Sequence, residues 1–224
     1  MAGAAVAPAK RSGGFVRDNG LTIALAVAVA ASLGLMLLAG WMAFNDELAK
    51  NGRAAVGLLA YAGSGDFLSA LFENWESEFL QMAAFVGLTA FLFQRGSAES
   101  RDPDEEDAGP SPLVLRARTP LRRVAAWFYS YSLGLVLALL FLLSFGAHLQ
   151  QSVRKATEEA LWRHAPPPSL WEHLTSATFW FESLQNWQSE FLSTAVLVVL
   201  SIWLRYHGSP ESKPVEAPHS STGK

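Results

Sequence analysis

Charge disappears from this chain in four places. Residues 21–44 and 124–153 contain no Lys, Arg, Asp or Glu, and the shorter runs 79–94 and 191–204 are equally free of them. At about 1.5 Å per helical residue, the two long runs can cross a hydrocarbon core of about 30 Å. A soluble helical chain of this size could hardly bury both. Each long run leads through a polar loop into a short one. The pattern predicts an all-α integral membrane protein whose four transmembrane helices form two parallel two-helix repeats.

The repeat is also visible residue by residue. Asn74-Trp75-Glu76-Ser77-Glu78-Phe79-Leu80 returns as Asn186-Trp187-Gln188-Ser189-Glu190-Phe191-Leu192. Aligning residues 15–100 with 127–212, without a gap, gives 24 identities in 86 positions. Shared Leu and Ala inflate such a score, but they do not produce that heptapeptide twice, so the chain reads as a tandem duplication. The expected organisation is an arm at 1–19, a first repeat at 20–100, a charged linker at 101–123, a second repeat at 124–208 and a disordered tail at 209–224. Gly96-Ser97 and Gly208-Ser209 read as helix-ending punctuation. Ser169-Leu170-Trp171-Glu172 reads as a capping box that opens a short helix.

Basic residues set the orientation. The arm, linker and tail, counted with the flanking Arg95 and Arg205, carry 12 of the 17 Lys and Arg, against 5 in the other two loops, which predicts cytoplasmic termini and a cytoplasmic linker. Trp and Tyr gather near both expected boundaries, as amphipathic rings do. The first apolar run is too long for a cleavable signal peptide and lacks a small-residue cleavage site, so it is expected to remain as a span. There is no cysteine, which excludes disulfides, thiolate metal sites and cysteine nucleophiles. No basic stripe points to nucleic acid.

The short runs pose a physical problem. Glu78 and Arg95 are separated by about 25 Å of helix, and Glu190 and Arg205 by about 22 Å, both less than the thickness of the core. The two glutamates are therefore expected at or below the outer headgroups. Asn74, Ser77, Glu78 and Gln81 share one helix face, as do Asn186, Ser189, Glu190 and Ser193. With Trp75 and Trp187 alongside, these residues form a candidate intramembrane polar cluster facing the bundle rather than lipid. The expected carboxylate partners are the Asn, the Ser and an indole N–H from the other repeat. The preferred reading is packing: polar groups that hydrogen-bond across helices. Next comes a site for a proton, cation or small polar solute. Catalysis ranks last, because nothing supplies a nucleophile, a metal or a phosphate cradle.

Ala26, Ala30 and Gly34 form a small-residue series that permits close helix packing, within the chain or between copies. The five histidines show no helix-face ligand spacing, so the sequence assigns no metal and no cofactor.

The paired heptapeptides, Phe91-Leu92-Phe93-Gln94-Arg95-Gly96-Ser97-Ala98-Glu99-Ser100 and Gly208-Ser209-Pro210-Glu211-Ser212-Lys213-Pro214 together resemble a bacterial family of four-helix membrane proteins known only as a domain of unknown function. The resemblance implies a bacterial inner-membrane location and no activity. The expected protein is non-enzymatic, structural or accessory. The alternative is a small transporter or channel subunit. Its partner is the lipid bilayer; a transport role would further require a homo-oligomer, since four helices are few for a path.

Overall fold

A computed structural model of the chain describes residues 14–105, 109 and 111–223. Among the described residues, helix is the regular structure and no strand occurs. The chain divides into two units, residues 1–63 and 64–224.

In the first unit, α1 (Phe15–Asp18) precedes the 31-residue α2 (Gly20–Lys50), and a loop leads to α3 (Leu58–Ala62). The corner between α2 and α3 is fixed by Asn45, which pairs with both backbone groups of Val56 at 2.7 and 3.1 Å. The Trp41 indole also donates to the Val56 carbonyl at 2.7 Å. Tyr61 packs on Phe44, with ring centroids 5.3 Å apart. Its hydroxyl lies against Gly40, where any Cβ would collide with it.

The second unit contains α4 (Gly65–Leu88), α5 (Pro112–Arg116), α6 (Pro120–Ser130), α7 (Ser132–Trp162), α8 (Leu170–Leu174) and α9 (Ala177–Leu200). Here α4 lies along α7 and makes a smaller contact with α9. The bounds of α7, α8 and α9 each lie 112 residues beyond those of α2, α3 and α4. Local chemistry keeps the same offset. Ser64 Oγ accepts from Phe67 N at 3.3 Å to cap α4, and Ser176 Oγ accepts from Phe179 N at 3.2 Å to cap α9.

Two helices, α2 and α7, are long and apolar enough to cross a membrane. Their helical structure outruns the uncharged stretches by several residues. Among the described residues, buried polar and charged side chains outnumber buried hydrophobic ones by 13 to 6. Leu, Val and Phe side chains line the outside of α2, α7 and α9 instead. That distribution inverts the rule for water-soluble chains.

Several expectations require correction. The uncharged stretch beginning at residue 124 is not one helix. It starts within α6, where Thr119 caps the helix and Pro120 opens it, and the chain breaks at Tyr131 before α7. Proline at the first helical position fixes that earlier start. Helices α4 and α9 stop at Leu88 and Leu200, well before Gly96 and Gly208. These glycines instead occupy positive-φ turns, at 86° and 83°. The turns match: Gln94 N donates to Ser100 Oγ at 2.8 Å, and Tyr206 N donates to Ser212 Oγ at 2.9 Å. Nothing among the described residues lies within 4 Å of a Cβ added at Gly34, and Ala26 and Ala30 are exposed, so the series makes no tight contact within the described chain and is left open to a second copy. The capping box forms as expected, and its bonds from Ser169 hold the Glu172 carboxyl below the usual carboxylate range.

The tail, read as disordered, is folded over residues 208–223. Lys213 is almost fully buried, and its ammonium donates to the carbonyls of Gly96, Ile202, His219 (3.1 Å) and Ser221 (2.8 Å). Gly223 N reaches Ser97 O at 2.9 Å, and Thr222 Oγ1 accepts from Gly96 N at 2.9 Å. A buried cation holding several carbonyls leaves them unpaired when it is removed. Lys213→Met is therefore expected to free residues 214–223 for limited proteolysis while α4, α7 and α9 stay protected. A tail equally resistant in both proteins would refute the role given to this side chain.

Candidate functional site

Four helices of the second unit converge on one polar cluster with a buried centre. Helix α7 contributes Ser144, His148 and Ser152, spaced four apart and therefore stacked on one face. Helix α4 contributes Glu73 and Glu76, one turn apart. Helix α9 brings Phe179, Glu182, Asn186 and Trp187, and α8 adds His173. The small serines on α7 let the neighbouring backbones approach closely enough for these side chains to meet.

The centre is an ion-pair geometry between Glu76 and His148, both completely buried. His148 Nδ1 lies 3.1 Å from Glu76 Oε2, and Trp187 Nε1 donates to Glu76 Oε1 at 3.2 Å. An indole can only donate, so Oε1 accepts. With Glu76 ionised, Oε2 accepts as well and Nδ1 carries the proton. One carboxylate thus joins α4, α7 and α9. Phe179 closes the cluster from the side, its ring centroid 5.0 Å from that of His148 and 5.7 Å from that of His173.

A second set of groups lies beyond the imidazole. His148 Nε2 has no hydrogen-bond partner and faces Glu182 Oε2 at 4.0 Å. Glu182 also accepts from Ser152 Oγ at 3.4 Å. Ser152 meets His173 Nε2 at 2.7 Å. Glu73 accepts from Asn186 Nδ2 at 2.6 Å. Ligand atoms of Glu73, His148 and Glu182 all fall within 4.8 Å of one another.

Burial pushes the His173 imidazole below its ordinary range; Glu182 opposes the shift and His148 adds to it. The fold therefore favours the neutral ring. The stability this lends is complete above the ordinary imidazole value of about 6.5 and is lost as pH falls through the lower folded-state value. Thermal stability is expected to decline as the protein is acidified from about pH 7 towards pH 5, and His173→Gln to flatten that decline. An unchanged acid slope in the variant would count against it.

The residues picked out from the sequence are distributed differently. Asn74, Trp75, Glu78, Ser189 and Ser193 are exposed, Gln81 and Glu190 are half-buried, and Ser77 is buried. Gln81 donates across to Thr194 Oγ1 on α9 at 2.6 Å. Asn74 and Ser77 bond to their own helix rather than to a carboxylate, as does Ser189 on α9. The anticipated indole-to-carboxylate bond exists, but it goes from Trp187 to Glu76, not to Glu78. The reason is rotational: Glu76 and Glu78 differ by about 200° around the helix, so only one of them can face α7. His148, Glu182, Glu73 and His173 were missed because they converge from four elements, and no spacing within one helix reveals them. A signal was nonetheless present. An offset of 112 residues sets Gln185 and Gln188 against Glu73 and Glu76, and Met36 against His148. The ionisable members of the cluster sit at positions where the two stretches differ.

The chain belongs to the family described as Domain of unknown function (DUF6766), whose model matches residues 12–224. No significant match exists among curated proteins or solved structures. The family description carries no activity to transfer, so a functional reading must start from these side chains.

Proposed function

We propose that this is a non-enzymatic, structural or accessory membrane protein, built from two parallel two-helix repeats with four spans, in which the polar cluster fastens the helices together. The observation that carries the reading is Glu76, fully buried and bonded to His148 of α7 and Trp187 of α9. In lipid, apolar packing gives helices little reason to associate, and such hydrogen bonds supply register. The inverted distribution of polar and apolar side chains supports immersion in a bilayer. The common offset between α2–α4 and α7–α9 supports the repeat. Helices α4 and α9, at 24 residues each, are about 36 Å long and so sufficient to span. The location that goes with this reading is the bacterial inner membrane, with both termini cytoplasmic.

Because the native chain lacks cysteine, single cysteines map its topology without a background. Gly52→Cys and Ala165→Cys are expected to react with an impermeant maleimide on intact spheroplasts. Ser111→Cys and Ser220→Cys should react only after lysis. Labelling of all four from one side would eliminate the four-span arrangement. A second reading, a subunit that handles a proton or cation as an oligomer, is favoured by the unpartnered His148 Nε2 beside Glu182. Reconstituted protein showing no proton or cation flux in liposomes would remove it.

A further inference from the structure

We propose that Glu73, His148 and Glu182 form a binding site for one divalent transition-metal ion of the zinc type. The proposal rests on the packing of α4, α7 and α9, not on membrane topology or on flux.

Four features point the same way. The donor set is one imidazole and two carboxylates, which suits a borderline divalent ion better than magnesium or calcium. The ligand atoms are within 4.8 Å of one another, so carboxylate rotation suffices to reach the roughly 3.3 Å spacing implied by zinc–ligand bonds of about 2.0–2.2 Å. His148 Nε2 is buried, without a partner, and aimed at Glu182. Finally, the other ring nitrogen meets Glu76. A metal-binding histidine commonly donates its second N–H to a carboxylate, which fixes the tautomer and leaves the free lone pair on the ligating nitrogen. Glu76 and His148 already have that arrangement.

Neighbouring bonds hold the remaining ligands in place. Asn186 fixes Glu73 and Ser152 reaches Glu182, so both carboxylates are oriented from outside the site. Three acidic side chains share this region, Glu76 fully buried and Glu73 and Glu182 partly so, and there uncompensated negative charge is costly and a divalent ion would offset it. The Glu182 side chain is 25% exposed, which gives the ion a route in and leaves room for a water ligand.

The test uses full-length protein without a histidine tag, stripped with a chelator and titrated with Zn²⁺ against a fluorescent competitor. Wild-type protein is expected to bind one ion per chain. Glu182→Gln and Glu73→Gln should each weaken binding at least tenfold. Glu76→Gln should weaken it about 10–100-fold without touching the ion. Its amide would donate to Nδ1, moving the imidazole proton to Nε2 and removing the lone pair. His207→Ala with His219→Ala should leave the site's affinity unchanged. Co²⁺ loaded in place of zinc should give d–d absorption that Glu182→Gln abolishes; this partly exposed position keeps the test valid if Glu73→Gln fails to fold. No Zn²⁺ binding at micromolar concentration, or binding that persists undiminished in folded Glu182→Gln, would overturn the assignment. Failure of the topology map would leave these binding results standing, and the reverse also holds.

Discussion

Replacing Glu76 with leucine is expected to cost the fold about 3–5 kcal/mol, the penalty for removing one partner of a buried, hydrogen-bonded pair. The side chain is fully buried, so no water can replace it. The change leaves His148 Nδ1–H and the Trp187 indole N–H facing hydrocarbon, each an unsatisfied donor. It also cuts the one carboxylate that spans α4, α7 and α9. In detergent, the midpoint of a tryptophan-fluorescence melt should fall by on the order of 10 °C. Glu76→Gln should cost much less, because the amide keeps an oxygen for the indole and the imidazole can change tautomer. Glu78→Leu is the control: Glu78 is exposed, bonds to neither α7 nor α9, and should change the midpoint little. If Glu78→Leu destabilised the protein more than Glu76→Leu, the cluster would be misassigned.

The second large effect is expected at Gly65. A Cβ there would lie 2.6 Å from Lys155 N, 3.1 Å from the Arg154 carbonyl carbon and 3.1 Å from Gln151 O. All three are backbone atoms of α7, so no side chain can swing away to relieve the clash. Gly65→Val should therefore pry the start of α4 off α7, at about 1–3 kcal/mol for forced overpacking. Because Glu73 and Glu76 lie two to three turns further along the same helix, the shift should also disturb their register with His148. Gly146→Ala gives the opposite expectation. Nothing lies within 4 Å of an added Cβ at that position, and losing a mid-helix glycine should add about 0.5–1 kcal/mol. Parallel melts of the two variants decide the point: a Gly65→Val protein as stable as wild type would show that α4 and α7 do not approach this closely.

Much of the architecture was legible in the chain. The absence of charge from residues 21–44 and 124–153 marked the two helices that meet the length and composition needed to span. Ser169 and Glu172 announced their own cap. The boundaries were harder, because apolar composition continues past the point where hydrogen bonding stops. Residues 89–94 read as helix but turn instead, bringing Gln94 N to Ser100 Oγ. The tail was misread because its polar, proline-containing composition resembles a solvated segment, and nothing local indicates that Lys213 will find four carbonyls. The sequence pointed to a polar stripe on α4 but not to the residues that meet there. The heptapeptide contains two carboxylates, Glu76 and Glu78, and which of them turns inward depends on which face of α4 meets α7. That is a tertiary fact, as is the meeting of His148 with three acids.

Positions 112 residues apart differ in chemistry around the cluster. Gly40 and Tyr61 in one correspond to Ser152 and His173 in the other, so a phenol fills space on one side while a hydroxyl and an imidazole do so on the other. The acidic pair Glu73 and Glu76 comes from the first half, whereas His148 and Glu182 come from the second. On the proposed repeat, neither half contains the full set. On that reading the centre needs side chains from both stretches of the polypeptide, and neither stretch expressed alone would hold it.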